Sequence, residues 1–202
     1  MISTYEMRQL EDNCGIPKAV LMENAGKAAY NVLKEKFNLK DKKILIVAYH
    51  GNNGGDGFVT ARHLADDAEV NVLFVGDEAK LKEEALVNFK KIENNEKIQF
   101  LPMEAIDFSD YDVIIDAIFG TGITGEIKDP LATLINNLSK AKAYKVSIDV
   151  PSGVNPDTGE KANAYFEPDL LITMHDIKKG LGAYKDKTVV VDIGIKEKHN
   201  NK

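Results

Sequence analysis

The sequence predicts an α/β fold of three layers, α/β/α, built on a doubly wound and mostly parallel sheet. Two features predict it: short apolar runs that do not alternate with polar residues, and helix-patterned stretches between them. Such runs suit parallel strands covered on both faces, and the strand-helix alternation suits an open sheet with crossovers. A chain of 202 residues with 44% apolar content is long enough to bury the core of one such domain. One domain is expected over 1–202, with a helical arm over 1–40, an α/β core over 41–195 and a solvated tail over 196–202.

Taken in order, Ser3 with Glu6 three residues later is a capping-box pattern that opens a short helix carrying Met7 and Leu10 on one face. After Pro17, the residues Leu21, Ala25, Ala28, Val32 and Leu33 recur at helical spacing as far as Phe37. Strands are expected over 44–47, 70–75, 113–115, 146–148, 170–172 and 189–191, and helices over 58–65, 81–92 and 131–138. In sheets of this kind ligands bind beyond the carboxyl ends of the strands.

The bulk composition excludes several classes. The formal net charge is −6 and the 26 Lys and Arg residues are scattered, so no basic stripe is present to follow a nucleic-acid backbone. Cys14 is the only cysteine, which leaves neither an intrachain disulfide nor a thiolate cluster and fits a reducing compartment. The first residues lack a basic-then-apolar leader, and no uncharged stretch approaches the roughly 20 residues that span a bilayer. A cytoplasmic protein without nucleic-acid or membrane partners is expected.

The chemistry is expected in loops at strand ends. The segment after the first strand reads His50-Gly51-Asn52-Asn53-Gly54-Gly55-Asp56-Gly57, with a helix expected to start at Phe58. Glycines there would permit positive φ and close approach of backbone N–H groups to a ligand, with phosphate at the helix end. It is neither a Walker A loop nor Gly-x-Gly-x-x-Gly. A second loop, Gly120-Thr121-Gly122-Ile123-Thr124-Gly125-Glu126, has the Gly-x-Gly-x-x-Gly spacing, but Pro130 and the distance to the next helix spoil the tight dinucleotide turn. It reads as a second phosphate- or ribose-contacting loop.

Asp149 follows a strand directly, where a carboxylate is well placed for catalysis or for capping the next turn. Asp116 lies within an apolar strand, where an unpaired carboxylate is costly. Asn53, Asp116 and Ser152 would converge either as all-oxygen ligands of a hard cation such as potassium or sodium, or as a hydrogen-bonded network. His175 and Lys178 follow another strand; Lys178 could shuttle a proton or meet phosphate, although a loop lysine is more often solvated.

The three segments 52–57, 116–122 and 149–153, in this order and spacing, resemble the YjeF N-terminal domain family, whose characterised members are NAD(P)HX epimerases. The resemblance covers nearly the whole chain, up to Asp192-Ile193-Gly194-Ile195, and implies a Rossmann-like fold and epimerisation of hydrated NADH and NADPH. It implies that Asn52, Asn53, Gly54, Gly55 and Asp56, then Gly120, Thr121, Gly122, Ile123, Thr124, Gly125 and Glu126, and Asp149, contact the substrate. It further implies one potassium ion per subunit on Asn53, Asp116 and Ser152. The chemistry of the reaction points to Asp149 as proton-transfer group, with Lys178 as a second candidate. The chain departs from the family at Thr124, where relatives often carry Lys or Arg, and at Lys178-Lys179-Gly180, where they carry Lys-Pro-Gly. Many relatives are fused to a dehydratase domain, so a separate NAD(P)H-hydrate dehydratase is the expected functional partner.

Two other readings compete. A Rossmann-type NAD-dependent dehydrogenase would use the Gly120 loop, but the first strand lacks the fingerprint and no second domain fits the length. A non-catalytic nucleotide- or protein-binding module is the other. A homodimer through the apolar face of the N-terminal arm is also expected.

Overall fold

The computed structural model describes residues 1–122 and 125–196. The helices are α1 (Thr4–Asn13), α2 (Lys18–Lys36), α3 (Asn52–Leu64), α4 (Glu83–Glu93) and α5 (Leu131–Lys140), with shorter 3-10 turns between elements. The strands are β1 (Lys43–Ala48), β2 (Glu69–Phe74), β3 (Ile98–Phe100), β4 (Val113–Ala117), β5 (Tyr144–Ile148), β6 (Leu170–Met174) and β7 (Thr188–Val191). All pair in parallel in the order β3-β2-β1-β4-β5-β6-β7. The three-layer, doubly wound expectation therefore holds.

Each central strand is buried on both faces, and successive side chains serve different cores. Ile44, Ile46 and Ala48 of β1 pack with Leu33 of α2, Phe58 of α3 and Phe89 of α4. Leu45 and Val47 pack on the opposite side with Leu134, Ile135 and Leu138 of α5. This double burial is why the runs lack polar alternation.

The capping box at Ser3 and Glu6 is present and starts α1. The first two helices are not an appended arm, because Met7, Leu21, Met22, Ala25, Ala29 and Leu33 are buried in the main core. The buried part of their apolar face is thus covered by the chain's own core, while Tyr5 and Val20 stay exposed. The first residues also reach across the molecule. Ile2 donates its N–H to the Ile177 carbonyl (2.9 Å) and accepts from the Lys179 N–H (3.0 Å), in a parallel bridge with Lys178.

Two elements differ from the sequence reading. β3 was not foreseen, because Ile98-Gln99-Phe100 is a three-residue edge strand with only Ile98 buried. Helix α3 begins at Asn52 rather than Phe58, so the glycine-rich segment is its first turns and not a loop.

Candidate active site

The reversal of strand order lies between β1 and β4, and there the loops leaving the two strands diverge and open a crevice. A cleft of about 660 Å³ occupies it, walled by α1, α2 and the start of α3 on one side and by the ends of β4, β5 and β6 on the other. The glycines of α3 set how close the helix comes. A Cβ on Gly54 would lie 1.8 Å from the Tyr49 carbonyl oxygen, and one on Gly57 would lie 2.6 Å from Cβ of Ala117. Gly51 starts the helix with φ −86°, and neither Gly54, Gly55 nor Gly57 has positive φ. These glycines therefore serve helix-to-strand packing rather than left-handed turns. The consequence for the cleft is that the first N–H groups of α3, which have no acceptor within the helix, are held at its rim.

Asn52, Asn53, Asp56, Gly120, Thr121, Gly122 and Asp149 all line this cleft. Gly54 and Gly55 do not; a Cβ on Gly55 would instead meet Sδ of Met22 at 2.6 Å. Gly125, with φ +95°, and Glu126 line a second cleft of about 350 Å³ on the other side of Gly120, beside Asn155 and Lys161. Ile123 and Thr124 lie outside the described residues.

Beneath the cleft, Asp116 is fully buried and accepts four hydrogen bonds. They come from Ser152 Oγ (2.5 Å), the Ser152 N–H (2.8 Å), Ser147 Oγ (3.1 Å) and the Ile118 N–H (3.2 Å). Burial nevertheless pushes its carboxyl up to about 6, with those hydrogen bonds opposing the rise. Ser152 Oγ also accepts from the Phe119 N–H (2.9 Å), which ties the β4 and β5 loops together. Asn53 donates its amide to the Phe119 carbonyl (3.1 Å), while its Oδ1 is buried with no partner among the described residues. Asp116 and Ser152 thus form a hydrogen-bonded network, and Asn53 leaves one oxygen free.

Asp149 stands at the end of β5 with φ +64°, a conformation that costs a non-glycine residue on the order of 1 kcal/mol and is kept only where neighbours enforce it. The enforcing neighbours come from β6 and the loop after it. Thr173 Oγ1 donates to the Asp149 carbonyl (3.0 Å), and the Nζ of Lys178 is paired with the Asp149 carboxylate. Lys178 is completely buried, against the expectation of a solvated loop lysine. Its other hydrogen bonds go to Thr173 Oγ1 (3.0 Å) and the Met174 carbonyl (3.0 Å), so all three of its donors are engaged. A burial this complete is possible because each N–H has an acceptor.

The sequence reading missed Glu11, Tyr49 and Met174 as cleft residues. For Glu11 no sequence signal existed, since an acid on a short amphipathic helix reads as solvated. Burial first, then the nearby Asp149, raises its carboxyl above the ordinary value. Among the described residues no group of three His, Cys, Asp or Glu side chains could hold a transition metal, and no helix is long and apolar enough to cross a membrane.

A parallel sheet with a polar cleft at its switch point and a helix N-terminus at the rim defines a doubly wound α/β protein with a small-molecule site. The comparisons make that class specific. The family described as YjeF-related protein N-terminus matches residues 18–180, and the chain belongs to this family. It is 42% identical over 189 residues, 91% of this chain and 87% of the relative, to a protein of Nitrosopumilus maritimus named NAD(P)H-hydrate epimerase. It is 38% identical over 208 residues to a protein of Archaeoglobus fulgidus named bifunctional NAD(P)H-hydrate repair enzyme Nnr, of which it spans 43%. The crystal structure of the yeast protein YNL200c superposes with a TM-score of 0.82 over 95% of this chain and 87% of that one at 23% identity, which supports the fold.

Proposed function

We propose that this chain is an isomerase that interconverts the R and S epimers of hydrated NADH and NADPH in the cytoplasm, supplying the S epimer to a separate dehydratase. The observation that carries the reading is the Asp149–Lys178 pair at the floor of the switch-point cleft; the names of the relatives support it. The hydrated ring bears a hydroxyl on the carbon beside its nitrogen. That nitrogen's lone pair can expel the hydroxyl to leave a planar iminium, and water then returns on either face. The reaction needs proton transfer at the hydroxyl and stabilisation of a cation, both within reach of a carboxylate.

Asp149 is assigned to proton transfer at the reacting hydroxyl. Lys178, with its three donors engaged and no exposed surface, is a positioning residue that fixes Asp149 rather than a proton shuttle. The N-terminal N–H groups of α3 and the Gly120 to Gly122 loop suit the diphosphate. The smaller cleft extends the same surface through Gly120, so Gly125 and Glu126 are reached by a substrate that spans both.

A potassium ion fits the residues present. The free, buried Oδ1 of Asn53 is an acceptor in need of a cation or donor, and Asp116 has no cationic side-chain partner among the described residues. Asn53, Asp116 and Ser152 would hold the ion, which would neutralise Asp116 and order the loops beside the diphosphate.

The test begins with the pure R epimer of NADHX and follows the S epimer by chiral chromatography, with and without protein, in potassium and in lithium buffer. Conversion well above the spontaneous rate is expected, faster in potassium. No acceleration in either buffer overturns the epimerase reading.

A further inference from the structure

Four carboxylates besides Asp149 line the main cleft: Glu11 and Asp12 from α1, Asp56 from α3 and Glu84 from α4, of which Asp12 is paired with Lys18 (3.1 Å). Asp56 lies one turn beyond Asn52 and Asn53, on the same face of the helix. Asp149, Asp56 and Glu11 influence one another's charge, with Lys18 beside Glu11 and the ammonium of Lys178 near all three. That ammonium is committed to Asp149, and Asp56 and Glu11 have no pairing cation among the described residues. Burial, and after it the charges of Asp149 and Glu11, raise the carboxyl of Asp56 well above its ordinary value. The cleft therefore presents a carboxylate ion-paired with Lys178 at the sheet edge and, on the helical wall, a carboxyl whose proton is held more tightly by burial. The buried, unpartnered Oδ1 of Asn53 lies between α3 and the β4 loop at the same cleft.

Inverting one carbon makes a demand that Asp149 alone does not meet. The hydroxyl leaves from one face and water returns to the other, so each face needs its own group. At the start one group must hold a proton and the other must lack one. We propose that Asp56 is a second catalytic residue, facing the ring from the side opposite Asp149, and that the two carboxyl groups exchange acid and base roles as the epimers interconvert. This rests on the epimerase reading above.

The step balances. Asp56 gives its proton to the hydroxyl; the C–O bond breaks, the bonding pair leaves with oxygen as water, and the nitrogen lone pair becomes the second bond of the iminium. On the other face a water oxygen bonds to the same carbon, the iminium pair returns to nitrogen, and the water's proton passes to Asp149. The enzyme ends with Asp149 protonated and Asp56 charged, which is the starting state for the reverse reaction. No oxidant or reductant is consumed.

The test uses each pure epimer of NADHX in 18O-water, with short incubations that hold the spontaneous reaction small. Wild-type protein should incorporate 18O while inverting. In Asp56→Asn, interconversion should fall by about 100-fold or more. The epimer whose hydroxyl faces Asp149 should still exchange its oxygen with retention, while the other exchanges nothing. Asp149→Asn should give the mirror pattern, and retained exchange in one epimer shows that each variant is folded. Interconversion at the wild-type rate in Asp56→Asn overturns the assignment, as does loss of exchange from both epimers. If Glu11→Gln shows the one-sided pattern and Asp56→Asn does not, the second group is Glu11 and the proposal for Asp56 fails. A wild-type protein that interconverts nothing refutes the epimerase reading itself, a separate outcome.

Discussion

Replacing Lys178 with Met keeps most of the side-chain volume and removes three hydrogen bonds at once, to Asp149, Thr173 and Met174. The hydroxyl of Thr173 then lacks a donor, the Met174 carbonyl keeps only the Asp176 N–H (2.8 Å), and the Asp149 carboxylate is left without its cation. Breaking a buried pair by removing one partner costs about 3–5 kcal/mol. Asp149 keeps 15% of its side chain exposed, against none for Lys178, so water can reach it and the lower end, about 3 kcal/mol, applies. For a chain of this length that corresponds to a fall in Tm of about 6–12 °C. Urea and thermal unfolding measure it. A double-mutant cycle identifies the cause: in the Lys178→Met background, Asp149→Asn should cost little or stabilise, because the stranded charge is gone. A Lys178→Met protein within about 1 kcal/mol of wild type would refute the reasoning and return Lys178 to the solvent-facing role that its loop position first implied.

Three further outcomes are expected. Gly54→Ala drives a Cβ to 1.8 Å from a backbone carbonyl and should cost more than about 4 kcal/mol or prevent folding, whereas Gly122→Ala, with open space around its Cβ, should stay within about 0.5 kcal/mol by urea titration. Asp56→Asn should raise Tm at alkaline pH by an amount that shrinks toward pH 4. Its raised carboxyl means that the folded state binds more protons than the unfolded one above the ordinary carboxylate value, so stability falls as pH rises through that window and Asn removes the dependence; a gain independent of pH would contradict this. At equal ionic strength, potassium at about 100 times its Kd should stabilise the protein by about 2.7 kcal/mol relative to lithium, and Asn53→Ala should abolish the difference; identical melting curves in the two salts for wild type would remove the cation from this site.

The parallel sheet was legible because double burial leaves an unambiguous pattern, as in Ile44 to Val47, while the exposed Gln99 hid β3. The start of α3 was not legible, because glycines and asparagines read as a turn unless the approach of Tyr49 and Ala117 is known. Asp149 and Asp116 could be picked out by their places at a strand end and inside an apolar run. The state of Lys178 could not, since its burial depends on acceptors supplied by Thr173, Met174 and a residue from another strand. Glu11 joins the cleft only through the packing of α1, which no local pattern records.

The bridge between Ile2 and the backbone around Lys178 orders events during synthesis. Ile2 leaves the ribosome long before the loop at Lys178 with which it pairs, and at about 5–20 residues per second it waits on the order of ten seconds for it. Through that interval Met7, which the finished core buries, lacks its later partners, and the Asp149–Lys178 pair cannot exist. The nascent chain can therefore assemble β1 to β4 with α2 and α3 well before it acquires a working floor to its cleft, and a translational pause ahead of residue 178 would hold it in that inactive form.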